Sequence, residues 1–172
     1  MQEAELLYTA AHGCANGCIV EVGSYRGRST VALAIGSEDG AQAPVFAIDP
    51  HEVFTGTLGG EFGPQDRAAF FRAMLDTECY RSVRLINLSS EQIAPGWTQP
   101  IGVLWIDGDH RYEGVKRDFD AWVWRLTEDA IVLFDDATDT SIGPYRLIQE
   151  LLATGRWIAV ANVGKVVALR RA

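Results

Sequence analysis

The sequence predicts an α/β protein: a Rossmann-like, doubly wound, mostly parallel seven-stranded sheet with a C-terminal antiparallel hairpin. Three observations predict it. Short apolar runs recur at CIVEV, VFAID, VRLINLS, IGVLWID and AIVLFD, as expected of strands covered on both faces. Segments with helical patterning separate most of these runs, which argues for a parallel sheet built by right-handed crossovers. The last apolar stretch, RWIAVAN and VVALRR around the turn VGK, has no helix within it and reads as two antiparallel strands.

Taken in order, residues 2–12 (QEAELLYTAAH) form a short helix, with Leu6, Leu7 and Ala10 on one face. Residues 18–36 give a strand, a glycine-containing turn and a helix, with Ser29 or Thr30 near the helix start. A second strand, 45–49, ends in Asp49. Residues 50–66 hold four glycines and two prolines, so they form a loop, longer than an ordinary connection and a candidate lid over a substrate. Asp66 is placed to cap a helix, RAAFFRAMLDTE, whose core face is Phe70, Phe71, Met74 and Leu75. The third and fourth strands are 83–89 and 101–107, joined by a short helical turn in SSEQIAPGW. A helix over 112–126 presents Val115, Phe119, Trp122, Val123 and Leu126, and AIVLFD is the fifth strand. PYRLIQELLATG is a further amphipathic helix before the hairpin. With no internal repeat and no linker, residues 1–172 read as a single domain.

Composition narrows the function. At 172 residues, 48% hydrophobic and 22% charged, the chain can bury a substantial core. No apolar run reaches the roughly 18 residues of a membrane span, and the acidic N-terminus lacks the basic start of a signal peptide, so a cytoplasmic protein is expected. A net charge of −8 disfavours nucleic acid or an anionic membrane as a partner. Cys14, Cys18 and Cys79 lack metal-site spacing and are expected to be reduced.

The chemistry lies at the strand ends. IDGDHRY puts Asp107, Asp109 and His110 within four positions of an apolar strand, and AIVLFDDA ends in Asp135 and Asp136. Open α/β sheets bind ligands beyond the carboxyl ends of their strands. Asp107, Asp135 and Asp136, converging from adjacent strand ends, would repel one another unless a cation lay between them. Oxygen donors select a hard cation such as Mg²⁺. The competing reading is a solvated acidic turn. In EVGSYRGRST, Gly23 permits a sharp turn and Gly27 a close approach to the backbone. Asp49, 22 residues beyond Gly27, is placed to accept ribose hydroxyls, so the pair suggests an adenosine-bearing cofactor.

These residues resemble a class I S-adenosylmethionine-dependent methyltransferase: E-V-G-S-Y-x-G-x-S-T after the first strand, Asp49 after the second, and the closing hairpin. Asp107 with Asp135–Asp136 is similar to the metal triad of the cation-dependent O-methyltransferases, which include catechol and macrolide-sugar enzymes; IDGDHRYEGVKRDFDAW followed by VLFDDA is nearest their small bacterial branch. The resemblance implies that Glu21, Gly23, Ser24, Gly27 and Ser29 line the methionine end of S-adenosylmethionine. It implies that Asp49 binds ribose, that Ser89 and Ser90 border adenine, and that Asp107 lies beside the cofactor. Asp107, Asp135 and Asp136 would hold the divalent metal and present a small hydroxylated substrate. His110, where the catechol enzymes keep a lysine, is then the candidate base, since its pKa lies near working pH. Alternatives are a helix-start role for His110 and, for Asp109, either orienting His110 or capping the next helix. His51 is expected to be a solvated loop residue.

Two other functions compete. A nicotinamide dehydrogenase would use a similar loop and ribose acid, but the glycine spacing is wrong and the acidic convergence is unexplained. A non-catalytic cofactor-binding or oligomerisation module is the other. Few residues remain to cover substrate, so a second copy of the chain is a candidate for completing the pocket.

Overall fold

In the computed structural model, which describes residues 2–57 and 59–172, the first apolar run is the centre of the sheet. β1 (Cys18–Val22) is buried along its whole length. It lies between β2 (Val45–Ile48) and β6 (Ile101–Ile106), parallel to both. β5 (Val83–Ile86) extends the sheet beyond β2, and β7 (Leu126–Phe134) extends it beyond β6, again in parallel. The hairpin of β8 (Trp157–Val163) and β9 (Val166–Arg171) completes the other side through an antiparallel β7–β9 pairing. Among the described residues, these seven strands form one sheet in the order β5-β2-β1-β6-β7-β9-β8.

The alternation of side chains along β1 divides the core. Cys18, Val20 and Val22 face α4 (Ser90–Ile93), α5 (Tyr112–Trp122) and α6 (Gly143–Ala153), with Phe119, Trp122, Phe134 and Leu147 in the same cluster. Ile19 faces α1 (Gln2–His12), α2 (Arg28–Asp39) and α3 (Pro64–Asp76), with Leu7, Leu33, Phe70 and Trp105. Strand order reverses between β1 and β6, the position at which open α/β sheets form their binding crevice. The three cysteines are free and buried. Among the described residues, no helix is long and apolar enough to cross a membrane.

Several boundaries differ from the sequence expectation. The helix expected over 112–126 stops at Trp122; Val123–Arg125 is a 3-10 turn, and Leu126 already pairs with Ile101 in β7. The polar residues Thr127–Asp129 obscure this first half of the strand. α3 starts at Pro64, suited to the first helical turn because it needs no N–H there. Asp66 lies inside that turn and accepts the Gly63 N–H at 2.9 Å. Only Phe70 and Met74 of its expected core face are buried, whereas Phe71 and Leu75 are exposed. The loop over 50–66 contains a small antiparallel hairpin, β3 (Phe54–Thr55) with β4 (Glu61–Phe62); Leu58 lies outside the described residues. Phe62 meets the Tyr25 ring edge-on at 5.0 Å, and the Arg111 guanidinium is 5.6 Å from the Phe54 ring centre. The hairpin therefore spans from the glycine turn after β1 to the segment after β6.

Candidate active site

The glycine turn is shaped by positive φ at Gly23 (85°), Tyr25 (46°) and Gly27 (87°), with α2 beginning at Arg28. Gly23 has no room for a side chain, since a Cβ there would lie 2.2 Å from the Asp107 carbonyl oxygen. Asp107 in turn donates its N–H to the Val22 carbonyl at 2.8 Å. The turn after β1 and the acid after β6 are thus in backbone contact across the switch point.

Asp49 serves this turn directly. One carboxylate oxygen accepts the N–H groups of Ser24 (3.0 Å) and Tyr25 (2.8 Å), and the other accepts that of His51 (2.8 Å). His51 is buried, contrary to the solvated position expected from its polar loop. Its Nε2 lies 2.7 Å from the Tyr25 carbonyl, so Nε2 carries the proton and Nδ1 accepts from the Asn87 amide at 3.0 Å. Asn87 also donates to the Asp49 carbonyl at 2.9 Å. The network joins the ends of β1, β2 and β5; neither His51 nor Asn87 was assigned a role from sequence.

Glu21 corrects an expectation. It is fully buried, so its carboxylate does not line an accessible surface. It shares the Ile19 face of β1 and accepts hydrogen bonds from Ser29 and Thr30 at the start of α2, each at 2.5 Å. Burial pushes its pKa up to about 8, against the lowering effect of the two hydroxyls. The native state therefore holds a proton that the unfolded chain releases at lower pH. Stability from this group is fully present below the ordinary glutamate range and is lost as pH rises through about 8. Glu21→Gln should flatten the decline in stability between pH 5 and 8, read as denaturant midpoints across that range.

The remaining turn residues divide by environment. Ser24 is buried and its hydroxyl lacks a hydrogen-bond partner. The Ser29 hydroxyl is committed to Glu21. At the end of β5, Ser90 is buried and accepts the Trp122 indole N–H at 3.0 Å, leaving Ser89 the more accessible of the two.

The acidic centre lies beside this turn. Asp107, His110 and Asp135 each offer a ligand atom, and these atoms lie within 4.8 Å of one another. Asp136 is not in that trio. At φ 47°, it directs one oxygen to 3.6 Å from His110 Nε2 and the other to Lys165. His110 Nε2 is 3.5 Å from Asp107, and is buried without a hydrogen bond. Burial raises the pKa of Asp107, and the charge of Asp135 adds to the effect. Burial alone would lower that of His110, but the surrounding carboxylates outweigh it and the net shift is upward. Asp109 does neither of the things expected of it. Its carboxylate takes the Arg111 backbone N–H at 3.0 Å and the Arg111 guanidinium at 2.6–2.9 Å.

The residue that the sequence did not reveal is Lys165, in the turn between β8 and β9. Its Nζ lies 2.8 Å from Asp135 and 2.9 Å from Asp136. These two carboxylates hold its pKa above the ordinary lysine value despite partial burial, which acts the other way.

Comparison with known proteins agrees with this fold. Residues 20–137 match the model of a family described as a methyltransferase domain. The SAH-bound methyltransferase PaMTH1 of Podospora anserina is 16% identical, with a TM-score of 0.72 over 99% of this chain and 78% of that one. CalS11, a TDP-rhamnose 3'-O-methyltransferase of calicheamicin biosynthesis, is 17% identical, with a TM-score of 0.72 over 98% and 77%. An rRNA methylase from Streptococcus thermophilus is 14% identical, with a TM-score of 0.64 over 99% and 94%. At such identities the structural likeness speaks to fold, while the family match spans both strand ends that carry the centre, from β1 to Ala137. The chain belongs to this methyltransferase-domain family.

Proposed function

We propose that the protein transfers the methyl group of S-adenosylmethionine to a hydroxyl of a small molecule, with a divalent cation, best Mg²⁺, at the acidic centre. The observation that carries this reading is the convergence of Asp107 and Asp135 beside the Gly23 turn, with His110 against them. The family match supports methyl transfer, and the SAH-bound neighbour supports the cofactor. The net charge of −8 supports a small acceptor over a nucleic acid.

In this reading the turn from Gly23 to Gly27 receives the methionine end, and Asp49 faces the ribose. Ser89 borders adenine, and residues 50–66 form the lid. The donor set suits a hard cation: Asp107 and Asp135 converge under mutual repulsion, and Asp136 adjoins them. Asp107, Asp135 and Asp136 would hold the ion. When bound, it supplies Lewis acidity that favours the deprotonated form of the acceptor hydroxyl.

The chain's own residues perform the remaining steps. His110, with a free Nε2, accepts the hydroxyl proton, and Asp107 and Asp136 stabilise the resulting imidazolium. The cofactor, when bound, would supply the methyl group and carry away the carbon–sulfur electron pair as a neutral thioether, while these residues hold and deprotonate the acceptor oxygen. Alignment is the principal contribution of the site, because displacement requires oxygen, carbon and sulfur in line. The backbone contact between Gly23 and Asp107 would hold the turn after β1 and the acidic centre in a fixed relation.

Titration calorimetry should detect S-adenosylmethionine binding in the presence of chelator, and transfer across a panel of hydroxylated acceptors should require added Mg²⁺. No heat with either the cofactor or its demethylated product would overturn the cofactor assignment. Undiminished transfer in chelator would overturn the metal.

A further inference from the structure

Lys165 is fixed by contacts that reach across the whole chain. The antiparallel register of β7 and β9 runs from Val132↔Leu169 to Phe134↔Val167, and two further residues along it set Lys165 opposite Asp136. The Lys165 carbonyl accepts the Ala137 N–H at 2.8 Å. Its own N–H donates to Glu3 of α1 at 3.0 Å. Gly164, at φ 59°, lies so close to Glu3 that a Cβ would stand 2.4 Å from the carboxylate. From this anchored backbone the ammonium spans Asp135 and Asp136, while the side chain stays 46% exposed. It is thus attached firmly at its root and free to swing at its tip.

We propose that Lys165 is the resident cation of the acidic centre, pairing with Asp135 and Asp136 in the metal-free protein and competing with a divalent ion for them. The inference rests on the metal reading given above. The ammonium takes one oxygen of each carboxylate, Oδ2 of Asp135 and Oδ1 of Asp136, and places its charge beside the acidic centre. An ammonium about 4 Å from a dication would be strongly repelled even in a partly hydrated site. Binding of the ion therefore requires the lysine tip to leave, which the exposure of the side chain allows. The residue sets how much divalent cation the protein needs, and prevents the buried carboxylates from repelling one another before it arrives.

Mn²⁺ binding to the whole protein, followed by the electron paramagnetic resonance signal of the free ion, tests this without any acceptor. Lys165→Gln should bind Mn²⁺ at least about tenfold more tightly than the wild type. Lys165→Arg, which keeps the charge, should bind as weakly as the wild type. Asp135→Asn should abolish the gain in the Gln background. Should the Gln protein fail to fold, Lys165→Met, which keeps most of the aliphatic stem, takes its place. Equal affinity of wild type and Gln protein, or an Arg protein as tight as the Gln protein, would overturn the competition and leave the metal reading standing. Absence of Mn²⁺ binding at millimolar concentration in every variant would overturn both.

Discussion

Asp107→Asn is expected to reduce methyl transfer by about 10²–10³-fold while leaving the fold intact and somewhat more stable. The two effects share one cause. Asp107 is held where burial and Asp135 both disfavour its charge, so the folded protein bears a cost that only a cation or a proton removes. Asparagine keeps the shape, and the backbone N–H to Val22 is unaffected, but the repulsion is gone. A gain of a kcal/mol would raise the melting temperature by roughly 2–4 °C at this size. Catalytic groups commonly show this trade between stability and activity. Thermal unfolding, Mn²⁺ affinity and formation of the demethylated cofactor should move as follows: stability up, the other two down. A melting temperature that falls sharply would show that the carboxylate is a structural anchor instead.

Gly23→Ala carries the largest expected cost to folding, about 3–5 kcal/mol. Two penalties combine. An L-residue at φ 85° is strained by about 1–2 kcal/mol. The new Cβ would also lie 2.2 Å from the Asp107 oxygen and 2.8 Å from Gly108 Cα, both of them backbone. No rotamer relieves such a contact; the ends of β1 and β6 must separate. Gly155→Ala provides the control, since that glycine also has positive φ (68°) but open space around it. Its cost should be the strain alone. Denaturant unfolding of the two variants would separate crowding from strain, and equal losses would show that the Gly23–Asp107 contact yields easily. Because that contact joins the turn proposed to hold the cofactor to the acidic centre, cofactor affinity should fall in Gly23→Ala and not in Gly155→Ala.

The sheet was legible because its parallel strands are covered on both faces and so read as apolar runs. β7 was only half legible, since Thr127, Glu128 and Asp129 conceal a segment that is nonetheless paired. The acids at the ends of β6 and β7 were visible for the same reason that they matter: charge is conspicuous at the end of a buried strand. Glu21 was visible but misdirected. Alternation along β1 puts it with Ile19, under α2, rather than at the open end. His51 was misread because its burial comes from Asn87 and the Tyr25 carbonyl, neither near it in sequence. Lys165 depends on hairpin register and on a contact with Glu3, and a lone lysine in a turn carries no local mark of either.

The link between Glu3 and the turn at Lys165 has a consequence for the order of folding. It closes a loop of 162 residues, so its entropy cost is among the highest of any contact in the chain. Asp107 and Asp135 can converge once β6 and β7 pair, but the hairpin that brings Lys165 to them is added later along the chain. Amide exchange at Lys165, whose N–H is held by Glu3, should report when this long-range closure forms during refolding.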